Sequence, residues 1–416
     1  DFANDFPYPL TIDQDNSIND VIIDLAKDKA MDRLICGDVG FGKTEVALRA
    51  TFLVAQHNKQ IAIISPTTLL CRQHFAVFKE RFKNYPNIKI EQLSRMVTSK
   101  GGSRVKKQIE SGEVTIIIGT HSLLADSIKF HDLSMLIIDE EHLFGVKQKE
   151  KLKILKNDIH VLSLSATPIP RTLHMSLSGM KNISLIKTPP IDRLPIKSSI
   201  IEYDPEIIRD AITRELNRNG RVFYVCPLIS DLEYVHKQLL HTLSESTNQT
   251  IAYANEIKIA HGQTPASILD EIMNDFYEGK FRILLSTPII ECGIDIPMAN
   301  TIIIHNADRF GLAKLYQLQG RVGRSKERGY SYFILSSKQT ASSIRRLETI
   351  DNTKSGFSIS LYDMDVRGFG NLIGEEQSGH IKEVGVELYQ KMLEEEVNNL
   401  KNNRSSNSQN IKINIE

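Results

Sequence analysis

The residues best suited to chemistry begin with GDVGFGKT, Gly37 to Thr44, between the apolar run Met31 to Cys36 and the alanine- and leucine-bearing segment Glu45 to Gln56. Strand, glycine-rich turn and helix in that order form the setting of a phosphate-binding loop. Gly37, Gly40 and Gly42 let the backbone adopt positive φ and turn its N–H groups inward, and the new helix directs its positive dipole end at the same point. In such a loop Lys43 reaches the β- and γ-phosphates and the Thr44 hydroxyl ligates Mg²⁺. A second cluster, Asp139-Glu140-Glu141-His142, follows the apolar run Met135 to Ile138. Phosphoanhydride hydrolysis needs one carboxylate to hold the Mg²⁺ shell and another to polarise water. Asp139 takes the first role here and Glu140 the second. Glu141 reads as structural, and His142 as a γ-phosphate sensor or a link to the next loop.

A third cluster, Gln317-Leu318-Gln319-Gly320-Arg321-Val322-Gly323-Arg324, carries two arginines three apart on a glycine-bearing helical segment. Such a pair can direct guanidinium groups at a γ-phosphate held by another domain. Arg324 is the first choice for this finger, with Arg321 beside it. Upstream of the phosphate loop, the Gln14 amide can both donate to and accept from an adenine edge, and Phe6 can stack on the base.

These groups need a scaffold, and the apolar pattern supplies one. Ile61 to Ile64, Ile88 to Ile90, Val114 to Ile118, Met135 to Ile138 and Val161 to Leu164 are short runs rich in β-branched residues, separated by helical segments. Continuous runs of this kind indicate a parallel sheet covered on both faces, with ligands gathered at the carboxyl ends of its strands. The segment KTPPIDRLPIK, Lys187 to Lys197, has three prolines and no period, so it reads as a semi-rigid linker. Beyond it the alternation restarts, with strands at Ile200-Ile201, Arg221 to Cys226, Glu256 to Ala260, Arg282 to Leu285 and Thr301 to Ile304, helices over Pro205 to Asn217, Leu232 to Leu243 and Ala266 to Tyr277, and no second phosphate loop. The expected class is α/β with two domains, residues 1–190 and 191–350, followed by a small helical motif over 351–400 and a disordered tail over 401–416.

Hydroxyl and basic side chains recur at the strand ends: Ser65 to Thr68, Ser94-Arg95, Gly119-Thr120-His121, Ser165 to Pro168 and Ser286-Thr287-Pro288. Side chains of this type, with helix-start amides, hold phosphates without reading bases. Thr67, Ser94, Arg95, Thr120, His121 and Thr287 are therefore candidates for a nucleic-acid track. Thr167, in the fifth loop, could link that track to the nucleotide, while Gly293 and Asp295 fall on the nucleotide side.

Composition bounds the reading without deciding it. Of 416 residues, 41% are hydrophobic and 25% charged, as in soluble globular proteins, and 51 basic residues balance 51 acidic ones. Bulk charge gives no argument for nucleic acid, so binding must rest on local groups. No apolar run approaches the roughly 18 residues that cross a bilayer, and the expected compartment is the cytoplasm. Cys36, Cys71, Cys226 and Cys292 lack metal-ligand or disulfide spacing and read as buried side chains in a reducing environment.

Gln14, GDVGFGKT, DEEH, SATPIPRT and QxxGRxGR, in this order, resemble the superfamily 2 helicases and translocases. The resemblance implies two tandem RecA-like domains and hydrolysis of ATP with Mg²⁺. Within that group, Asp139 to Glu150, Ser165 to Met180 and above all Val366 to Glu395 are similar to the bacterial transcription-repair coupling factors and the RecG-like subgroup. By that similarity Arg367 and Gln377 couple hydrolysis to movement on double-stranded DNA, and Thr167 and Gln317 are assigned to the same coupling. The implied function is an ATP-dependent duplex translocase that pushes stalled RNA polymerase. RNA polymerase and excision-repair proteins are expected to bind through domains outside this chain. Gln319 stands where the family usually has arginine, Cys292 where it has serine and Ser165 where it has threonine, and none of these removes a group assigned to chemistry. Two other readings are a RecG-like fork-remodelling helicase and, without a motor, a nucleotide-gated module that clamps DNA or RNA polymerase.

Overall fold

The computed structural model describes residues 2–94, 99–141, 144–145, 148, 151–152, 159–166, 182–190, 194–244, 255–291, 295–324, 327–336 and 347–348. The sites expected at Arg95, His142, Thr167, Gly293, Arg367 and Gln377, and the segments 351–400 and 401–416, lie outside these residues.

Lobe 1 contains α1 (Ile12–Leu25), β1 (Asp32–Gly37), α2 (Lys43–Ala55), β2 (Gln60–Ile64), α3 (Thr68–Arg81), β3 (Ile90–Leu93), α4 (Ser99–Glu110), β4 (Ile116–Gly119), β5 (Leu133–Asp139), β6 (His160–Ser165) and β7 (Asn182–Ile186). Its strands form one parallel sheet in the order β3-β4-β2-β5-β6-β1-β7. Lobe 2 contains β8 (Lys197–Ile201), α5 (Pro205–Asn217), β9 (Arg221–Val225), α6 (Ile229–Ser244), β10 (Ile257–Ala260), α7 (Ala266–Glu278), β11 (Ile283–Ser286), β12 (Ala299–Ile304), α8 (Leu312–Gln319) and β13 (Tyr330–Ile334). Its sheet is again parallel, in the order β10-β11-β9-β12-β13-β8.

The apolar runs explain both sheets, because alternate residues of one strand feed cores on opposite faces. In β2, Ile61 and Ile63 join the cluster under α1 and α2, while Ala62 and Ile64 join the cluster under α4. In lobe 2, Phe223 and Val225 go to one face and Val222 and Tyr224 to the other. Each buried isoleucine contributes about 1.5–3 kcal/mol, and polar residues enter these sheets only where they are bonded, as Gln60 of β2 is to Ile109 O and Val114 O.

Two strands in lobe 1 start later than their apolar runs suggest. β3 occupies Ile90–Leu93 because Ile88 is held in a turn by its N–H to Tyr85 O, and β4 begins at Ile116. The strands β7, β8 and β13 carry no continuous apolar run. β7 and β8 are edge strands with partly exposed residues, so β8 shows in sequence only at Ile200-Ile201 and begins three residues before them. Edge β7 is fixed by Arg33 of β1. Its Nε donates to Asp24 Oδ2 (2.7 Å) and its Nη1 to Ser184 Oγ (2.7 Å) and Asp20 Oδ2 (3.0 Å), tying β1 and β7 to α1.

Candidate nucleotide site at the seam between the lobes

β1 delivers the phosphate loop. Gly37 is its last residue, and a Cβ there would come within 2.9 Å of Ile186 Cβ on β7. Gly40 and Gly42 have φ of 80° and 81°, the left-handed region that other residues avoid. A Cβ on Gly42 would also collide with the Gln14 amide. α2 then begins at Lys43 without a side-chain cap, so its dipole end is directed at the loop. Left-handed glycines, an uncapped helix start and a lysine at its first position fit a polyphosphate. Lys43 Nζ lies 2.5 Å from Gly37 O and 3.0 Å from Asp38 O. Burial lowers the Lys43 pKa, against the charges of Glu140, Asp139 and Asp38 that raise it.

Gln14 is the third residue of α1 and completes a capping box. Its Oε1 accepts from Thr11 N (2.9 Å), and its Nε2 donates to Phe41 O in the phosphate loop (2.9 Å). One lone pair and one N–H therefore remain for a ligand, with the amide held rigidly at 3% exposure. Phe6 packs edge-on against Tyr8, with the Arg81 guanidinium 5.7 Å from its ring. Arg81 also donates to Glu45 of α2 and to Phe2 O.

The acidic pair arrives on β5, whose register sets Asp139 beside Leu164 of β6, as Cys36 of β1 sits beside Ser165. The three strand ends are thus level. Glu140 has φ of 52°, a left-handed conformation for a residue with a side chain, and its carboxylate accepts from Ala166 N (3.1 Å) and Ser165 Oγ (3.3 Å). Burial, then the Asp139 charge, pushes its carboxyl up to about 7, despite Lys43 and Arg321. Burial also works against ionised Asp139, but a hydrogen bond from His74 Nε2 (3.0 Å) and the nearby cations outweigh it and hold its pKa below the usual value. Glu141 accepts from Ser163 Oγ (2.9 Å), in keeping with a structural role. Thr44 is half-buried at the start of α2.

Lobe 2 brings the arginines, though not on a helix as their spacing suggests. α8 ends at Gln319, and Gly323 has φ of 68°, so Arg321 and Arg324 occupy an irregular turn and diverge. Arg321 is only 2% exposed and near enough to act electrostatically on Asp139 and Glu140. Arg324, the expected finger, turns to its own lobe, with Nη1 3.2 Å from Asp295 Oδ1 and Nε donating to Gly320 O.

Three pairings missed in the sequence cross the seam or flank it. Tyr316 Oη on α8 donates to Asp38 Oδ2 of the phosphate loop (2.6 Å). Gln73 on α3 donates through Nε2 to Asp295 O and accepts from Asp295 N (3.3 Å). His74 is the partner of Asp139. The acidic residue within the phosphate loop is the one sequence signal that could have pointed to such a contact. Asp38, Val39, Ala166, Tyr316, Gln317 and Gly320 line a small, partly open interlobe crevice.

The track candidates of lobe 1 come from neighbouring strands, since β3, β4 and β2 are adjacent. Thr67 caps α3 by accepting from Leu70 N (3.3 Å). Ser94 accepts from Gln92 (3.3 Å), Thr120 meets Ser122 (3.1 Å), and half-buried His121 opens a short 3-10 turn. Ser94, Thr120 and Thr287 are 7%, 5% and 8% exposed, so they present little more than an edge to the surface. Cys36, Cys71 and Cys226 are buried free thiols, and burial raises Cys71 to about 12. No described helix is long and apolar enough to cross a membrane.

Residues 11–176 match the DEAD/DEAH box helicase family and residues 204–326 the helicase conserved C-terminal domain. The chain is 56% identical over 405 residues to the transcription-repair-coupling factor of Rickettsia conorii, covering 95% of this chain and 35% of that protein. It is 44% identical over 408 residues to the corresponding factor of Escherichia coli, covering 97% and 35%. The chain thus spans about a third of the length of these relatives. Among solved structures, RecG bound to a three-way DNA junction aligns with a TM-score of 0.78 and 30% identity over 94% of this chain and 51% of that one. With two parallel sheets, the loop and acidic pair in one lobe and the arginines in the other, the chain carries the two helicase domains of the DEAD/DEAH-box and helicase C-terminal families and is a homologue of the transcription-repair-coupling factors.

Proposed function

We propose that the chain is the ATP-driven, double-stranded-DNA-translocating part of a transcription-repair coupling factor. The observation that carries this reading is the convergence, at one seam, of the phosphate loop and acidic pair of lobe 1 with Arg321 of lobe 2. The loop amides and Lys43 hold the phosphates, and Gln14 and Phe6 flank the base. Thr44 and Asp139 would hold Mg²⁺, which supplies charge neutralisation for the departing phosphate. Glu140, set by Ala166 N and Ser165 and with a pKa near neutrality, takes the proton from attacking water. Arg321 offsets charge developing on the γ-phosphate, with Arg324 in reserve on Asp295. Closure and release of the seam then move the two rows of strand-end loops, among them Thr67, Ser94, Thr120, His121 and Thr287, along the phosphate backbone, with Arg367 and Gln377 coupling the stroke. Residues 1–190 and 191–350 act as the two motor lobes and 351–400 as the translocation motif, in the cytoplasm. RNA polymerase and excision-repair proteins would be engaged by further parts of the longer protein.

The test is ATP hydrolysis with and without duplex DNA. Glu140→Gln keeps the shape and one acceptor for Ala166 N, so nucleotide binding is expected to persist while kcat falls by about 10²–10⁴. Undiminished hydrolysis refutes the assignment. The likeness to RecG on a three-way junction favours a second reading, fork remodelling. It is separated from the first by comparing displacement of a triplex strand with regression of a model fork.

A further inference from the structure

α3 has two working faces that no motif in the sequence marks. Leu69, Arg72 and Gln73, at i, i+3 and i+4, form one stripe. Leu69 is 1% exposed and packs in the apolar cluster of lobe 2, although its helix belongs to lobe 1. The Arg72 guanidinium lies 5.1 Å over the Tyr277 ring and 3.6 Å from Glu278, both on α7. Gln73 pairs through both ends of its amide with the backbone of Asp295. The carboxylate of that same Asp295 holds Arg324. On the adjoining face, Cys71 and Phe78 enter the lobe 1 core, and between them His74 Nε2 donates to the Asp139 carboxylate (Oδ2, 3.0 Å), with its ring edge-on to Phe78.

Consecutive residues of a helix point about 100° apart. Gln73 and His74 therefore reach different lobes from neighbouring backbone atoms, so that a small rotation or slide of α3 must move both contacts together. A backbone-directed amide pair is also insensitive to what side chain stands at 295, so it reads the position of the loop and not its identity.

We propose that Gln73 and His74 are paired positioning residues: Gln73 senses the seating of the Asp295–Arg324 loop, and His74 passes it to the orientation of Asp139. The inference deepens the proposed ATPase and rests on it. Neither residue touches the reacting atoms. Their work is to make the acidic pair competent only when lobe 2 is docked.

The experiment measures kcat and KM for DNA-stimulated ATP hydrolysis in Gln73→Ala, His74→Ala, the double variant and His74→Gln. Each alanine is expected to lower kcat about 10-fold with KM within about twofold. Because the two act in one linkage, the double variant should fall no further than the worse single one. His74→Gln should recover most of the rate, since its Nε2 can take the place of the imidazole Nε2. Multiplied losses in the double variant, a rise in KM at constant kcat, or failure of His74→Gln to recover overturns the proposal. A second measurement needs no activity. Fluorophores at Glu80→Cys on α3 and Lys237→Cys on α6, both exposed positions, report lobe separation in the nucleotide-free chain. Gln73→Ala should widen the distance distribution and His74→Ala leave it unchanged, and an unchanged distribution in Gln73→Ala refutes the docking half. If the unaltered chain shows no DNA-stimulated hydrolysis, the proposed function falls, and the distance measurement still decides the role of Gln73.

Discussion

Tyr316→Phe removes a single oxygen from the seam. The Tyr316 hydroxyl donates at 2.6 Å to the Asp38 carboxylate, a group only 8% exposed, so the bond is charge-assisted and shielded from water. Such bonds contribute about 1.5–3 kcal/mol, or roughly 10- to 150-fold in the equilibrium between seated and separated lobes. Apart from the Gln73–Asp295 amide pair, the polar contacts of α3 across the seam are weaker. The half-exposed Arg72–Glu278 pair at 3.6 Å is worth about 0–1 kcal/mol and the stacking of Arg72 on Tyr277 about 0.5–1 kcal/mol. Phenylalanine keeps the ring against the lobe 2 core, so the change isolates the hydroxyl. With fluorophores at Glu80→Cys and Lys237→Cys, the separated fraction of the nucleotide-free chain should rise by about 10- to 150-fold in Tyr316→Phe and by about 2- to 30-fold in Arg72→Ala, which loses both of its contacts. The opposite ranking would show that the hydroxyl bond is not what holds the phosphate loop to α8.

The two arginines should separate kinetically. Arg321→Ala is expected to lower kcat by about 10³ or more, as loss of an arginine finger does, and Arg324→Ala to have the smaller effect, because Arg324 is bound to Asp295; steady-state ATPase rates decide, and a larger loss in Arg324→Ala would restore it as the finger. Asp24→Asn tests the network that fixes β7. Burial opposes the Asp24 charge, but hydrogen bonds from Arg33 and Lys27 outweigh it and hold the folded pKa below the usual 3.8. Its stabilisation is thus present above that value and lost as the pH falls through the lower folded one. Asp24→Asn should cost about 3 kcal/mol in denaturant unfolding at pH 7, with the deficit shrinking below pH 4, and a deficit independent of pH would refute the ion-pair account.

Much of the scaffold was legible because its signals are local. α5 could be read at both ends from Asp204-Pro205-Glu206, where Asp204 caps the first turn, and from the Asn-Gly step after it. Central strands such as β2 and β5 announce themselves by unbroken apolar runs, since both faces are covered. β8, with Lys-Ser-Ser-Ile-Ile at a sheet edge, has no such need and shows in sequence only through Ile200-Ile201. The same division holds at the site. GDVGFGKT and Asp139-Glu140 are legible because each is one turn at one strand end. The contacts of Asp38 with Tyr316 and of Gln73 with Asp295 join residues 278 and 222 apart, and only the packing of two lobes creates them. The choice between Arg321 and Arg324 depended on where α8 stops. Three-residue spacing fixes a common face only while the helix lasts, and here it ends at Gln319.

Leu69 is rooted in one lobe and submerged in the oily interior of the other. Prising the halves apart must wet it, at about 1.5–3 kcal/mol, and that cost, unlike any ionic contact, is not screened by added salt and weakens on cooling. The machine should therefore gape more readily in the cold, and salt that loosens its charged clasps would leave this leucine holding on.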